Sequence, residues 1–155
     1  MTTEPTPPST SADGAADPLT LFLVEDSTII RDNLIALMHE TLPMQVLGSA
    51  SSEADARRAL ADGASRADLV IVDIFLNGGT GLGVLGARHE FAATGRWVVL
   101  SNHTSQEMRR KCIELGADAV FDKSNEIESL LLYCKRLAGI DALGDARNSL
   151  EAALD

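Results

Sequence analysis

Glu25, Asp26, Asp73, Ser101 and Lys123 are the residues whose types and positions could do chemistry, because each lies just past a short apolar run. The runs occupy residues 19–24, 69–72, 97–100 and 119–121. Three carboxylates crowded together repel one another and cost free energy unless a cation neutralises them. Oxygen ligands without His or Cys favour Mg²⁺ over zinc. Lys123 supplies a compact cation for a carboxylate or a phosphoryl group, and Ser101 a hydroxyl donor. A divalent ion, a lysine and a hydroxyl around one aspartate form a set for phosphoryl transfer. Asp73 would attack in line while ion and lysine offset charge on the equatorial oxygens.

These residues meet only if the runs before them lie side by side with their carboxyl ends on one edge. Leu69-Val70-Ile71-Val72 is rich in β-branched side chains and does not alternate, as a strand buried on both faces of a parallel sheet requires. Asp68 precedes it, and the glycine-rich Asn77-Gly78-Gly79-Thr80-Gly81 follows. Residues 19–24 read as a first strand. Ser27 caps a helix with Ile30, Leu34, Leu37 and Met38 at helical spacing, which Pro43 closes. Residues 45–48 give a second short strand. Ser52 starts a helix with Ala56, Ala59 and Leu60 inward and Gly63 at its end. Leu82, Leu85 and His89 trace a third helix ending near Gly95. Met108, Cys112 and Leu115 mark a fourth stopped by Gly116, and Ile127, Leu130, Leu131, Cys134 and Leu137 mark a fifth. Five alternations of strand and helix predict an α/β doubly wound parallel sheet, and right-handed crossovers bring every strand's carboxyl end to one edge.

Composition sets the outer limits. A chain of 155 residues with 45% apolar content suits one domain with a single core plus tails. A net charge of −10 argues against direct nucleic-acid binding, since phosphate contacts need clustered Lys and Arg. No apolar stretch approaches the roughly 20 residues that span a bilayer, and no secretory signal is visible. Cys112 and Cys134 each fall on an apolar helical stripe and read as buried thiols, in keeping with a reducing cytoplasm. Residues 1–18 hold four of the five prolines and read as a disordered leader. In the tail, residues 139–155, Leu143, Ala146, Leu150 and Ala153 share one face of a short helix. That face could pack on its own domain, pair with a second copy as a homodimer, or bind a partner. The 18 residues after Leu137 are too few for an output domain.

Leu23-Val24-Glu25-Asp26-Ser27, Val70-Ile71-Val72-Asp73, Leu100-Ser101 and Phe121-Asp122-Lys123-Ser124 resemble the signature stations of response regulator receiver domains over about residues 19–138. The resemblance implies a flavodoxin-like (βα)5 fold with helices on both faces of a five-stranded sheet ordered 2-1-3-4-5. It makes Asp73 the phosphoacceptor, Asp26 the direct Mg²⁺ ligand and Glu25 the acid that holds the ion through water. The backbone carbonyl of Phe75 becomes the remaining protein ligand, Ser101 the switch hydroxyl, Lys123 the cation, and Gly81 a tight turn into the third helix. It also implies a sensor histidine kinase or histidine phosphotransfer protein as phosphoryl donor, and a two-state equilibrium shifted by phosphorylation.

The chain departs from that pattern at four places. Asn77 stands where proline is common, and with Gly78-Gly79 predicts a mobile loop. Ser124 follows the lysine in place of proline. Val120 occupies the aromatic switch position and cannot swing a ring, with Phe121 beside it read as a core residue. Asn102, where a small residue is frequent, narrows access to Asp73. His39 and His89 read as helix-surface residues and His103 as a loop residue near the site.

The leading reading is therefore a phosphorylated switch or phosphorelay shuttle that signals by protein contact, with at most weak Mg²⁺-dependent autophosphatase activity. The alternative is a phosphorylation-independent receiver-like interaction module, which Mg²⁺ titration followed by Trp97 fluorescence should separate from the first. A phosphohydrolase is disfavoured because Phe75 occupies the second acid position of an Asp-x-Asp motif.

Overall fold

The computed structural model describes residues 18–91, 95–102 and 104–139. One sheet of five parallel strands organises them: β1 (Leu19–Val24), β2 (Met44–Ala50), β3 (Leu69–Val72), β4 (Arg96–Ser101) and β5 (Ala119–Asp122). Their order is β2-β1-β3-β4-β5, the doubly wound flavodoxin-like arrangement. Successive side chains on a strand point to opposite faces, and here both faces are covered. Leu21, Leu23, Leu69, Ile71, Val98 and Leu100 pack with Leu34, Met38, Leu130 and Cys134 from α1 (Thr28–Thr41) and α5 (Ile127–Leu137). Phe22, Val24, Val70, Val72, Trp97 and Val99 pack on the other face. They meet Ala56 and Leu60 from α2 (Glu53–Ala61), Val84 and Leu85 from α3 (Gly81–Gly86), and Cys112 from α4 (Gln106–Leu115). A strand apolar at every position is thus filling two cores at once.

Four helix starts lie at the strands' carboxyl edge, each capped by a hydroxyl. Ser27 accepts from the Ile30 amide, Ser52 from Asp55, Thr80 from Leu82 and Ser105 from Met108, at 3.1–3.2 Å. Both cysteines are buried and unpaired. Burial pushes the Cys134 thiol up to about 12 and raises that of Cys112, so neither is poised for thiolate chemistry.

The third helix is much shorter than its periodicity predicts. It ends at Gly86, and Arg88–Glu90 forms a separate 3-10 turn that carries an exposed His89. Glycine is the poorest helix former after proline, and Gly81, Gly83 and Gly86 fall within one six-residue helix. The second strand is longer than residues 45–48 because β2 pairs along the whole of β1, with a register shift between Leu21 and Phe22. On α1 the inward stripe narrows to Leu34 and Met38, while Ile30 and Leu37 are more than a third exposed. Leader residues 1–17 and the tail helix bearing Leu143, Ala146, Leu150 and Ala153 lie outside the described residues.

Candidate functional site

Main-chain bonds that continue the sheet past its strands fix the chemistry-bearing residues on one edge. The Asp73 amide donates to the Val24 carbonyl at 2.9 Å, Glu25 to Ala50 at 2.9 Å, and Lys123 to Ser101 at 3.1 Å. From those anchors the side chains converge on Asp73. Its Oδ1 accepts from Ser101 Oγ at 2.7 Å and from the Phe75 amide at 3.3 Å, while Oδ2 accepts from Lys123 Nζ at 2.8 Å. Lys123 also donates to Glu25 Oε1 at 2.6 Å, and the Ser27 amide donates to Glu25 Oε2 at 3.1 Å. One ammonium therefore bridges two carboxylates from different strands.

Glu25 and Asp73 are 4% and 6% exposed, so water screens their charges poorly. Desolvation holds the Glu25 carboxyl above its ordinary value, against the bond from Lys123. Burial disfavours the Lys123 ammonium, but its bonds to Asp73 and Glu25 outweigh that, and its pKa is raised. Asp26 is partly exposed beside them, and Glu25, Asp26 and Asp73 each offer an oxygen within 4.8 Å of the others. An all-oxygen set with open solvent on one side fits a hard divalent cation that keeps several waters. Phe75 sits two residues beyond Asp73, is 57% exposed, and turns its main-chain amide toward the carboxylate. The five expected side chains are brought together.

Gly81 is required for a reason other than turning. A Cβ there would lie 2.0 Å from the Asp73 carbonyl oxygen, so the start of α3 approaches the Asp73 backbone too closely for any side chain. The loop of Asn77, Gly78 and Gly79 is bonded to α2: the Glu53 amide donates to Gly78 O at 2.8 Å and the Thr80 amide, at the loop's end, to Glu53 Oε1 at 2.9 Å. Asn102 is exposed at the rim of a groove of about 330 Å³ that Lys123, Ile30, Leu100 and Ile127 also line. His39 is exposed on α1, and His103 lies outside the described residues. Trp97 is fully buried at the amino end of β4, four residues from Ser101 or roughly 13 Å along the strand, which makes it a remote reporter of ion binding.

Sequence reasoning missed a second polar cluster behind Lys123. Asp122 accepts from Thr104 Oγ1 at 3.1 Å, from the Ser124 amide at 2.8 Å and from the Ser124 hydroxyl. The Ser124 bonds, with those of Thr104, hold its carboxyl down to about 2. Arg109 reaches from α4 to the Val120 carbonyl at 3.1 Å and to Glu126 at 2.5 Å. The Asp122-Lys123-Ser124 run was the only visible signal, and it marks a local turn rather than the partner at Thr104.

Residues 21–135 match the family described as response regulator receiver domain. The chain belongs to that family. Receivers are modules of two-component signalling, and the sheet order and site edge described above are those of the fold. A CheY-like receiver domain protein from Methanospirillum hungatei is 20% identical with a TM-score of 0.68, covering 81% of this chain and 98% of its own. A response regulator from Burkholderia pseudomallei, solved with a phosphorylated aspartic acid, calcium ion and citrate, is 19% identical with a TM-score of 0.66, covering 87% and 75%. The CheX-CheY-BeF3-Mg²⁺ complex from Borrelia burgdorferi gives 17% identity and a TM-score of 0.69 over 82% and 92%. No curated protein matches the chain significantly. In this receiver Phe121 is a core residue, buried and edge-on to Tyr133 at 5.7 Å, and Val120 is partly buried. No helix among the described residues is long and apolar enough to cross a membrane.

Proposed function

We propose that this receiver accepts a phosphoryl group on Asp73 from the phosphohistidine of a sensor kinase or phosphotransfer protein, and signals by protein contact. A carboxylate oxygen of Asp73 attacks phosphorus in line, the P–N bond breaks, and the imidazole leaves as the acyl phosphate forms. The observation that carries the reading is the convergence on Asp73 of Lys123 at 2.8 Å and Ser101 at 2.7 Å, beside two further carboxylates.

Glu25, Asp26 and Asp73, with the Phe75 carbonyl, are the groups that would hold Mg²⁺. Bound there, the ion would offset charge on the transferring phosphoryl group. Lys123 is released from Oδ2 when that oxygen is phosphorylated and turns to a phosphoryl oxygen while keeping Glu25. Ser101 bonds the other oxygen, Oδ1, which becomes the weaker carbonyl acceptor of the acyl phosphate, so its hydroxyl turns to a phosphoryl oxygen and draws the end of β4 with it. Slow loss of the phosphoryl group to water is the only turnover this set supports, since Phe75 places no second acid or base beside the acceptor. The neighbours carrying a phosphorylated aspartate and a beryllofluoride–magnesium pair support the same chemistry here.

A second reading, a phosphorylation-independent interaction module, draws on Val120, which supplies no aromatic ring to couple the site to the α4–β5 face. Intact mass after incubation with a small phosphodonor and Mg²⁺ separates the two. One added phosphoryl group on wild type, absent in Asp73→Ala and in excess chelator, is the expected result. No adduct together with no beryllofluoride binding would leave the interaction module as the function.

A further inference from the structure

The β3–α3 loop lacks the features that usually stiffen such a segment, having Asn77 followed by two glycines, yet it must hold Phe75 against Asp73. The side chain that supplies the missing order lies 27 residues earlier in the chain. Glu53 is the first residue of α2, held there by the Ser52 cap. Its amide donates to Gly78 O at 2.8 Å, and its Oε1 accepts from the Thr80 amide at 2.9 Å. Ser52 also pairs with Gly78 in a parallel bridge, and Thr80 pairs with Phe75 in an antiparallel one. The Phe75 amide then reaches Asp73 Oδ1 at 3.3 Å. These bonds form a continuous path from the Glu53 carboxylate to the acceptor.

Gly79 takes a left-handed backbone (φ 79°) that already favours glycine, so Gly83 is the position that shows the chain shaped around this side chain. A Cβ at Gly79 would lie 2.5 Å from Glu53 Cβ, and one at Gly83 would lie 2.2 Å from Glu53 Oε2. Gly83 sits inside α3, where glycine is unfavourable, and its backbone needs no left-handed conformation. The space it leaves is the space the Glu53 carboxylate fills. Arg57, the neighbouring cation, is 3.5 Å from Gly83 O and makes its short bond to Glu90 instead, at 2.9 Å.

We propose that Glu53 is a positioning residue for the phosphoacceptor site, clamping the β3–α3 loop through Thr80 so that Phe75 is presented to Asp73 and to a bound divalent ion. The inference rests on the Mg²⁺ site proposed above. Calorimetric Mg²⁺ titration of the full chain tests it, with amide exchange at Phe75 and Thr80 as a second readout. Glu53→Ala is expected to weaken Mg²⁺ binding about 10-fold, as loss of an outer-shell partner does, and to speed exchange at both amides. Glu53→Gln keeps the acceptor and is expected to keep wild-type affinity. Glu53→Asp keeps the charge but falls one methylene short of Thr80, so it should behave as Glu53→Ala does and decides the matter if that variant fails to fold. Gly83→Ala should weaken Mg²⁺ binding in wild type and leave it unchanged in Glu53→Ala, where the space has been vacated. Unchanged affinity in Glu53→Ala or Glu53→Asp, or equal effects of Gly83→Ala in both backgrounds, overturns the clamp and leaves the site standing. Wild type that binds no Mg²⁺ overturns the site, and the clamp with it.

Discussion

Asp122 and Lys123 are adjacent in sequence and solve different electrostatic problems. Lys123 faces inward and neutralises two nearly buried carboxylates, so its charge is committed to the site. Asp122 is satisfied by hydroxyls and an amide, and it gives the loop of Thr104 and the turn of Ser124 a common acceptor. Those bonds favour the ionised form, and the carboxyl falls from an ordinary 3.8 to about 2 in the folded protein. A group with a lowered folded pKa contributes stability that is complete above its unfolded value and is lost as pH falls through the folded one. Asp122→Asn is therefore expected to melt below wild type by a constant margin above about pH 4, with the margin closing as pH approaches 2. Thermal melts at matched ionic strength measure it, and a margin that persists undiminished at pH 2 would show that Asp122 acts through shape rather than charge.

At the scale of elements, α3 is where local preference and site geometry conflict. Its glycines are not equivalent. Gly81 abuts the Asp73 carbonyl, and the added methyl of Gly81→Ala must displace backbone, so a loss of about 2 kcal/mol is expected, as overpacking causes. Gly86 is exposed, and only Leu115 Cδ2 lies near, at 3.8 Å. Gly86→Ala should gain roughly 0.5–1 kcal/mol from helix propensity alone. Urea denaturation of the two variants checks the opposite signs. The same conflict explains what could be foreseen. Strands β1, β3 and β4 were legible because a strand buried on both faces leaves an apolar run, broken here only at Thr20, and the site was legible because Glu25, Asp73 and Ser101 directly follow such runs, with Asp26 one residue further on and Lys123 one past the weaker run of β5. The end of α3 was not, since Leu82, Leu85 and His89 keep helical spacing while the glycines between them break the helix. Glu53, Thr104 and the Phe75 amide were equally hidden. They act through loop contacts across the sheet edge, and no periodicity records which loops will touch.

The whole molecule carries a net charge of −10, and among the described residues Glu25, Asp26 and Asp73 bring three carboxylates within 4.8 Å of one another, where a single lysine serves two of the three. The domain thus folds against a local repulsion that its two cores must overcome. Repulsion of this kind is relieved by a bound cation, and any ligand of the native state alone raises stability by mass action. Mg²⁺ at 100 times its dissociation constant should add about 2.7 kcal/mol, or roughly 10 °C in Tm for a domain of this size. Asp26 is the least buried of the three and bonds neither Lys123 nor Ser101, so replacing it disturbs the proposed ion site with little damage to packing. Asp26→Asn removes one charge from the cluster and is expected to raise Tm without Mg²⁺ while abolishing the further rise that Mg²⁺ gives wild type. Calorimetric melts with and without Mg²⁺, against sodium chloride of equal ionic strength, separate site binding from general screening of the −10 charge. If Asp26→Asn retains the full Mg²⁺ increment, the stabilising ion is held elsewhere on the acidic surface. If sodium chloride reproduces the increment in wild type, the repulsion is global and the cluster is not its centre.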